Sequence, residues 1–160
     1  MDSQTSPLAR TYAIGIPGVF RALMAGVGVG VVGWLLTLFF KNVVIANIFC
    51  RSADTFTICS NGGTIAWNIA FVIVALASVF VLMRTNMYRP LLIVLAAVAV
   101  LWGIGAWLLP MAWWQGLLWS GVLFGLAYAL FAWLAAHTVF TVSLISTIVV
   151  VVLVRLFGAI

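Results

Sequence analysis

The residues of this sequence that could do chemistry begin with its two cysteines, Cys50 and Cys59, which lie in a hydrophilic stretch. Such a pair can close a disulfide, and the chain-entropy argument gives a ring of this size a stabilisation of roughly 2.5–3 kcal/mol. Redox exchange with a quinone favours a closely spaced pair and a second pair that relays electrons, and the sequence has no further cysteine. The spacing therefore predicts a structural disulfide, with free thiols, intermolecular pairing and redox exchange as alternatives.

The titratable side chains are too few and too scattered for acid–base catalysis. His137 is the only histidine, and Asp2 and Asp54 are the only acids. General acid–base chemistry and an activated serine need titratable groups beside the substrate, and a metal ion needs several ligands in one place. We therefore expect no catalytic residue, no metal and no cofactor. His137 is interpreted as a polar residue at a membrane boundary, with proton sensing as an alternative.

Small residues recur at helical spacing in two apolar segments. Ala22, Gly26 and Gly30 share one face of the first segment, and Gly121 and Gly125 share one face of a later segment. Small residues four positions apart let helix backbones approach closely inside a membrane. Both faces are expected to pack helices, either within one bundle or against a second copy or a partner subunit, and the spacing does not distinguish these cases.

Hydroxyl side chains follow one another in the last apolar segment. Ser143 and Thr147 are four positions apart with Ser146 beside them, so the three fall on one side of a helix. Their hydroxyls can bond to carbonyls of their own helix or to a neighbouring helix. We expect helix packing, and the polar lining of a pathway is the alternative.

Composition indicates which elements position these residues. The chain has 160 residues, of which 67% are hydrophobic and 6% are charged, whereas a soluble domain carries about 25% charged residues. In lipid the backbone polar groups of such a chain are satisfied within helices, and each crossing takes about 20 apolar residues. The sequence predicts an all-α integral membrane protein, a single bundle of about five transmembrane helices over residues 18–158, with four as an alternative.

The predicted boundaries follow the apolar runs and the prolines. Pro90 suits the first turn of a helix, where an amide has no intrahelical partner, and Pro110 ends the third span. Residues 1–17 are interpreted as a short cytoplasmic tail and residues 42–63 as an outer loop. We place the spans at residues 18–40, 64–83, 90–109, 116–135 and 138–157, with a turn at 111–115.

Basic residues and tryptophans together predict the orientation. A cytoplasmic N-terminus places four basic residues inside and three outside: Arg10, Arg21, Arg84 and Arg89, against Lys41, Arg51 and Arg155. The same topology brings both cysteines to the oxidising side and most tryptophans to the outer interface. We expect a plasma membrane or bacterial inner membrane protein with loop 42–63 on the non-cytoplasmic side.

The ionisable residues lie at or beyond the predicted ends of the spans. Proton- and sodium-coupled transporters depend on such groups within the membrane, and single basic residues at span ends favour lipid headgroups rather than nucleic acid. We predict a non-catalytic subunit or scaffold of a membrane complex, with the lipid bilayer and other membrane subunits or a second copy as partners. The alternatives are an oligomeric passive channel or carrier for a neutral or apolar solute and, ranked lower, a disulfide redox membrane enzyme.

Overall fold

A computed structural model describes residues 16–50, 59–84, 90–135 and 140–158. Their regular secondary structure is entirely helical, which confirms the predicted all-α class for these residues. The helices are α1 (Ile16–Phe39), a π-helical segment (Phe40–Phe49), α2 (Gly62–Arg84), α3 (Pro90–Leu101), α4 (Gly105–Leu108), α5 (Trp113–Ala135) and α6 (Phe140–Gly158).

Three helices are long and apolar enough to cross a membrane, over Gly18–Ile48, Gly62–Arg84 and Trp113–Ala135. At 1.5 Å per residue, a helix the length of α2 or α5 extends about 34 Å, slightly more than the hydrocarbon thickness of about 30 Å. Two shorter apolar helices cover Pro90–Leu101 and Thr141–Val154. Three of the described helices are therefore compatible with membrane spans, and the predicted number of five spans and the predicted orientation remain predictions.

The first helix runs further than the predicted span 18–40. It continues beyond Lys41 as a π-helix, in which backbone bonds connect residues five apart. The Cys50 N–H accordingly donates to the Ile45 carbonyl at 3.1 Å. The side-chain amide of Asn47 donates to the Asn42 carbonyl, also at 3.1 Å. Residues 43–49 are largely apolar and contain neither glycine nor proline, so nothing in them stops the helix.

This extension corrects the predicted outer loop at 42–63. Residues 42–49 are helical, and Gly62 and Gly63 open α2 instead of breaking the chain. The Cγ2 methyl group of Ile45 lies against Gly62, where an added Cβ would be 3.0 Å from it. The connection between the first two long helices is therefore shorter than the sequence indicated.

The third predicted span, 90–109, is interrupted. Its helix begins at Pro90 as expected, ends at Leu101, and resumes after a turn as the short helix α4. Gly103 in that turn has a φ of +90°, which a residue without a Cβ adopts at low cost. Hydropathy over 90–109 is high on both sides of the turn, so a span prediction based on hydropathy does not detect the break.

The remaining boundaries differ by a few residues. Helix α5 begins at Trp113, so three of the five residues of the turn predicted at 111–115 belong to its first turn, and α6 covers Phe140–Gly158 instead of 138–157. Most of the predicted tail 1–17 lies outside the described residues, and its last two residues begin α1.

Helices α1 and α5 form the most extensive contact of the described bundle, and α2 also packs on α1. Helix α3 packs on α5, and α6 contacts both α3 and α5. Aromatic rings fill the core where α1, α2 and α5 meet: Trp34 and Trp67 lie 6.2 Å apart between centroids, and Phe71 lies 5.8 Å from Phe124. This aromatic core fixes the positions of α1, α2 and α5 relative to one another.

Candidate functional site

The small-residue faces of α1 and α5 pack against each other within the chain. A Cβ added to Gly26 would lie 2.6 Å from the Phe124 carbonyl oxygen, and one added to Gly125 would lie 2.7 Å from a Val27 methyl group. Ala22 is fully buried. Since the two backbones already meet at this α1–α5 seam, the seam offers no open face to another subunit.

Gly30 and Gly121 occupy the next level of the same seam. A Cβ on Gly30 would overlap the Ser120 carbonyl and approach the Gly121 Cα at 3.0 Å. Gly121 itself faces Val31 and Val27, where a Cβ would meet methyl groups at 3.5 and 3.7 Å. The closest approach of the backbones is therefore at Gly30.

Polar side chains connect different helices across the core. The bonds run from Trp34 Nε1 to the Trp113 carbonyl at 2.8 Å, from Ser120 Oγ to the Gly30 carbonyl at 3.2 Å, and from the Tyr128 hydroxyl to Ser78 Oγ at 2.8 Å. Interhelical hydrogen bonds in membranes contribute about 0.6 kcal/mol on average and up to about 2 kcal/mol. These groups stabilise the bundle.

The hydroxyl residues of α6 lie together, as their spacing indicated. Ser146 and Thr147 donate to the Ser143 carbonyl at 3.0 and 2.7 Å. Ser143 is fully buried, and its hydroxyl has no hydrogen-bond partner in the part of the chain that the structure describes. Two of the three hydroxyl groups, those of Ser146 and Thr147, therefore donate their hydrogens to the backbone of α6. Such an arrangement does not form a continuous polar path.

Cys50 and Cys59 are at disulfide-bonding distance, with their Cα atoms 5.7 Å apart. The pair links the end of the π-helical segment to the residues just before α2. No group of three potential metal ligands occurs within the described ranges. His137, Asp2 and Asp54 lie outside those ranges, so the interpretation of His137 stays a prediction.

Asn68 is a candidate functional residue that the sequence analysis missed. It is exposed on α2, and its side chain makes no hydrogen bond within the described residues. Val72 and Leu76, one and two turns further along the same face, are 47% and 63% exposed. Asn68, Val72 and Leu76 are called the α2 face below. The sequence did contain a feature that could have identified Asn68: an amide side chain inside an apolar span is uncommon and often functional.

An exposed amide within an apolar helix carries a free-energy cost wherever hydrocarbon surrounds it. At 1.5 Å per residue, Asn68 lies about 24 Å from Arg84 and about 9 Å from Gly62, so a hydrocarbon layer of about 30 Å that begins at Arg84 ends about 6 Å beyond Asn68. An amide without a hydrogen-bond partner in an apolar medium costs about 2–7 kcal/mol. A partner that can bond this amide would remove that cost.

An apolar groove lies between α3 and α6 and has a volume of about 700 Å³, within the range of about 300–1,000 Å³ common for ligand sites. Its walls include Leu91, Leu95 and Ala99 of α3 and Thr147, Ile148 and Val152 of α6, and Met83 lies at one end. Thr147 supplies its one hydroxyl, which already donates to the Ser143 carbonyl. The groove therefore suits an apolar occupant.

No protein-family model, curated protein or solved structure matches this chain. The α2 face and the α3–α6 groove are accordingly interpreted from their own chemistry.

Proposed function

We propose that this chain is a non-catalytic subunit of a larger membrane assembly and that it docks to another subunit through the α2 face. The observation that carries the proposal is Asn68, an amide that is exposed on the apolar helix α2 and makes no hydrogen bond within the described residues. A transmembrane helix of a partner with a polar side chain at the same depth would bond this amide.

Helix association in membranes supports this assignment. Lipid tails are as apolar as leucine, so apolar contact alone gives two helices little reason to associate, whereas a polar pair adds a directional bond. A single buried asparagine also fixes the register of two helices, because only one alignment satisfies its amide. Val72 and Leu76 would supply the apolar contact on either side of such a bond.

The other surfaces give weaker support for docking or transport. The glycine faces of α1 and α5 are occupied by each other. The passive channel or carrier alternative rests on the hydroxyls of α6, and those of Ser146 and Thr147 donate to their own helix. The α2 face is therefore the stronger candidate.

The Asn68→Leu variant tests this proposal. A photo-crosslinker at Val72, activated in native membranes, is expected to give a heteromeric product whose yield falls about 3- to 30-fold in Asn68→Leu, the range that corresponds to one interhelical polar contact. Asn42→Leu is the matched control, because Asn42 is also exposed but lies on the π-helical segment, on a different element from the α2 face. Its crosslinking yield is expected to equal that of the wild type.

Two results would contradict the proposal. One is a chain that stays monomeric in mild detergent and gives no product from Val72. The other is a product of twice the chain mass, which would assign the α2 face to a second copy instead of a different subunit.

A further inference from the structure

We propose that the α3–α6 groove holds one acyl chain of an anionic phospholipid, with the lipid phosphate bound at Arg84. The proposed docking of a subunit involves a different surface, the α2 face with Asn68. Neither proposal depends on the other.

The length of the groove matches one lipid leaflet. Its lining runs over 90–99 on α3 and 144–152 on α6, which is about 14 Å and 12 Å along the two axes at 1.5 Å per residue. Half of a hydrocarbon layer of about 30 Å is about 15 Å. A transmembrane partner helix would continue through the other leaflet, where the groove does not extend.

The width of the groove also favours an extended chain. Helices α3 and α6 contact each other, so a third helix, which is about 10–12 Å across with its side chains, cannot enter between them. The groove is lined by the small side chain of Ala99 and by branched side chains such as those of Leu95 and Ile148. A flexible hydrocarbon chain can follow such a surface in van der Waals contact, whereas a helix of fixed diameter cannot.

Charge at one end identifies the lipid class. Met83 lines the groove, and the next residue, Arg84, ends α2 with an exposed guanidinium. A guanidinium binds phosphate through paired hydrogen bonds, and basic sites between transmembrane helices bind anionic headgroups. The described residues contain no carboxylate side chain that would compete for it. Under the predicted orientation, Arg84 faces the cytoplasmic leaflet, which carries anionic lipid.

Native mass spectrometry of the purified chain tests the proposal. The protein is equilibrated with equal amounts of phosphatidylglycerol and phosphatidylcholine of the same acyl chains, and the retained lipid is counted. We expect one retained lipid with a preference of about fivefold for phosphatidylglycerol, the effect typical of one basic residue at a membrane surface. Arg84→Gln is expected to abolish the preference, and Arg84→Lys, which keeps the charge but not the paired hydrogen bonds, is expected to keep part of it.

Two controls separate this site from general lipid adhesion. Lys41→Gln removes an exposed cation from the π-helical segment, which does not line the groove. This variant is expected to leave the preference for phosphatidylglycerol unchanged. Ala99→Phe fills the groove and is expected to lower the retention of both lipids, whereas Ala77→Phe, on an exposed position of α2, is not.

The proposal is overturned if no lipid is retained, if both lipids are retained equally, or if Arg84→Gln leaves the preference intact. Should Ala99→Phe fail to fold, the Arg84 series, which alters an exposed side chain, still decides the matter.

Discussion

At the level of single residues, Gly28 and Gly30 of α1 have opposite surroundings although they are two positions apart. A Cβ on Gly30 would overlap the Ser120 carbonyl, and one on Gly28 would meet no atom within 4 Å. The four-residue spacing correctly grouped Gly26 with Gly30. It could not show which helix would cover them, because that depends on how the helices assemble.

Gly30→Ala is expected to destabilise the bundle by about 1–3 kcal/mol, the cost of adding a methyl group where the neighbouring backbone has no room. Gly28→Ala is the matched control and is expected to be neutral or to stabilise by up to about 1 kcal/mol through helix propensity. Unfolding in a denaturing detergent, followed by circular dichroism, measures both. Equal stabilities of the two variants would show that the α1–α5 seam is not tightly packed.

Asn68 shows what residue types alone could not reveal. Its helix is apolar on nearly every side, so the sequence carries little periodic signal for the face that points outward. The fold supplies that information by burying Trp67 and Phe71 and leaving Asn68 exposed. The disulfide pair and the small-residue faces were easier to recognise, because spacing along the chain is sufficient to identify them.

At the level of elements, hydropathy predicted where the long apolar helices lie but not their detailed course. Pro90 correctly predicted the start of α3, because a proline at the first helical position has a structural meaning of its own. The π-helical continuation and the break after Leu101 were missed, since both depend on backbone geometry within apolar sequence. Gly105, beyond the break, packs so closely on Trp67 that any Cβ would overlap the indole.

Gly103→Ala tests whether the turn between α3 and α4 requires a glycine. A φ of +90° is unfavourable for an L-residue with a Cβ, and we expect a loss of about 1–2 kcal/mol in unfolding free energy. Gly63→Ala is the control, because a Cβ there would meet the Leu109 side chain at an ordinary 3.5 Å. If Gly103→Ala were as stable as Gly63→Ala, the turn would not depend on glycine.

At the level of the whole molecule, three long helices, two shorter apolar helices and a cysteine pair constrain the topology. Hydrophobicity was sufficient to predict apolar helices long enough to cross a membrane, because a chain with 6% charged residues has few other ways to satisfy its backbone polar groups. The number of crossings is harder to predict, since α3 is too short to span alone and the helix is interrupted at Gly103 before it resumes as α4.

The orientation can be measured with the native cysteines, which are the only two in the sequence. In intact cells, a membrane-impermeant maleimide is expected to label the chain after treatment with an impermeant reductant and not before, because a disulfide persists on the oxidising side. A Cys50→Ser, Cys59→Ser double variant is the negative control. Labelling that requires permeabilised cells would place the cysteines in the cytoplasm and invert the predicted topology.

The hydrogen bond between Ser120 and Gly30 joins residues 90 positions apart, and this separation has a consequence for biosynthesis. At a translation rate of about 5–20 residues per second, roughly 5–18 s pass between the synthesis of the two partners. During that interval the glycine surface of the newborn first helix is without its final neighbour. An insertase or membrane chaperone that shields such surfaces would have its greatest effect in this period, before the fifth helix leaves the ribosome.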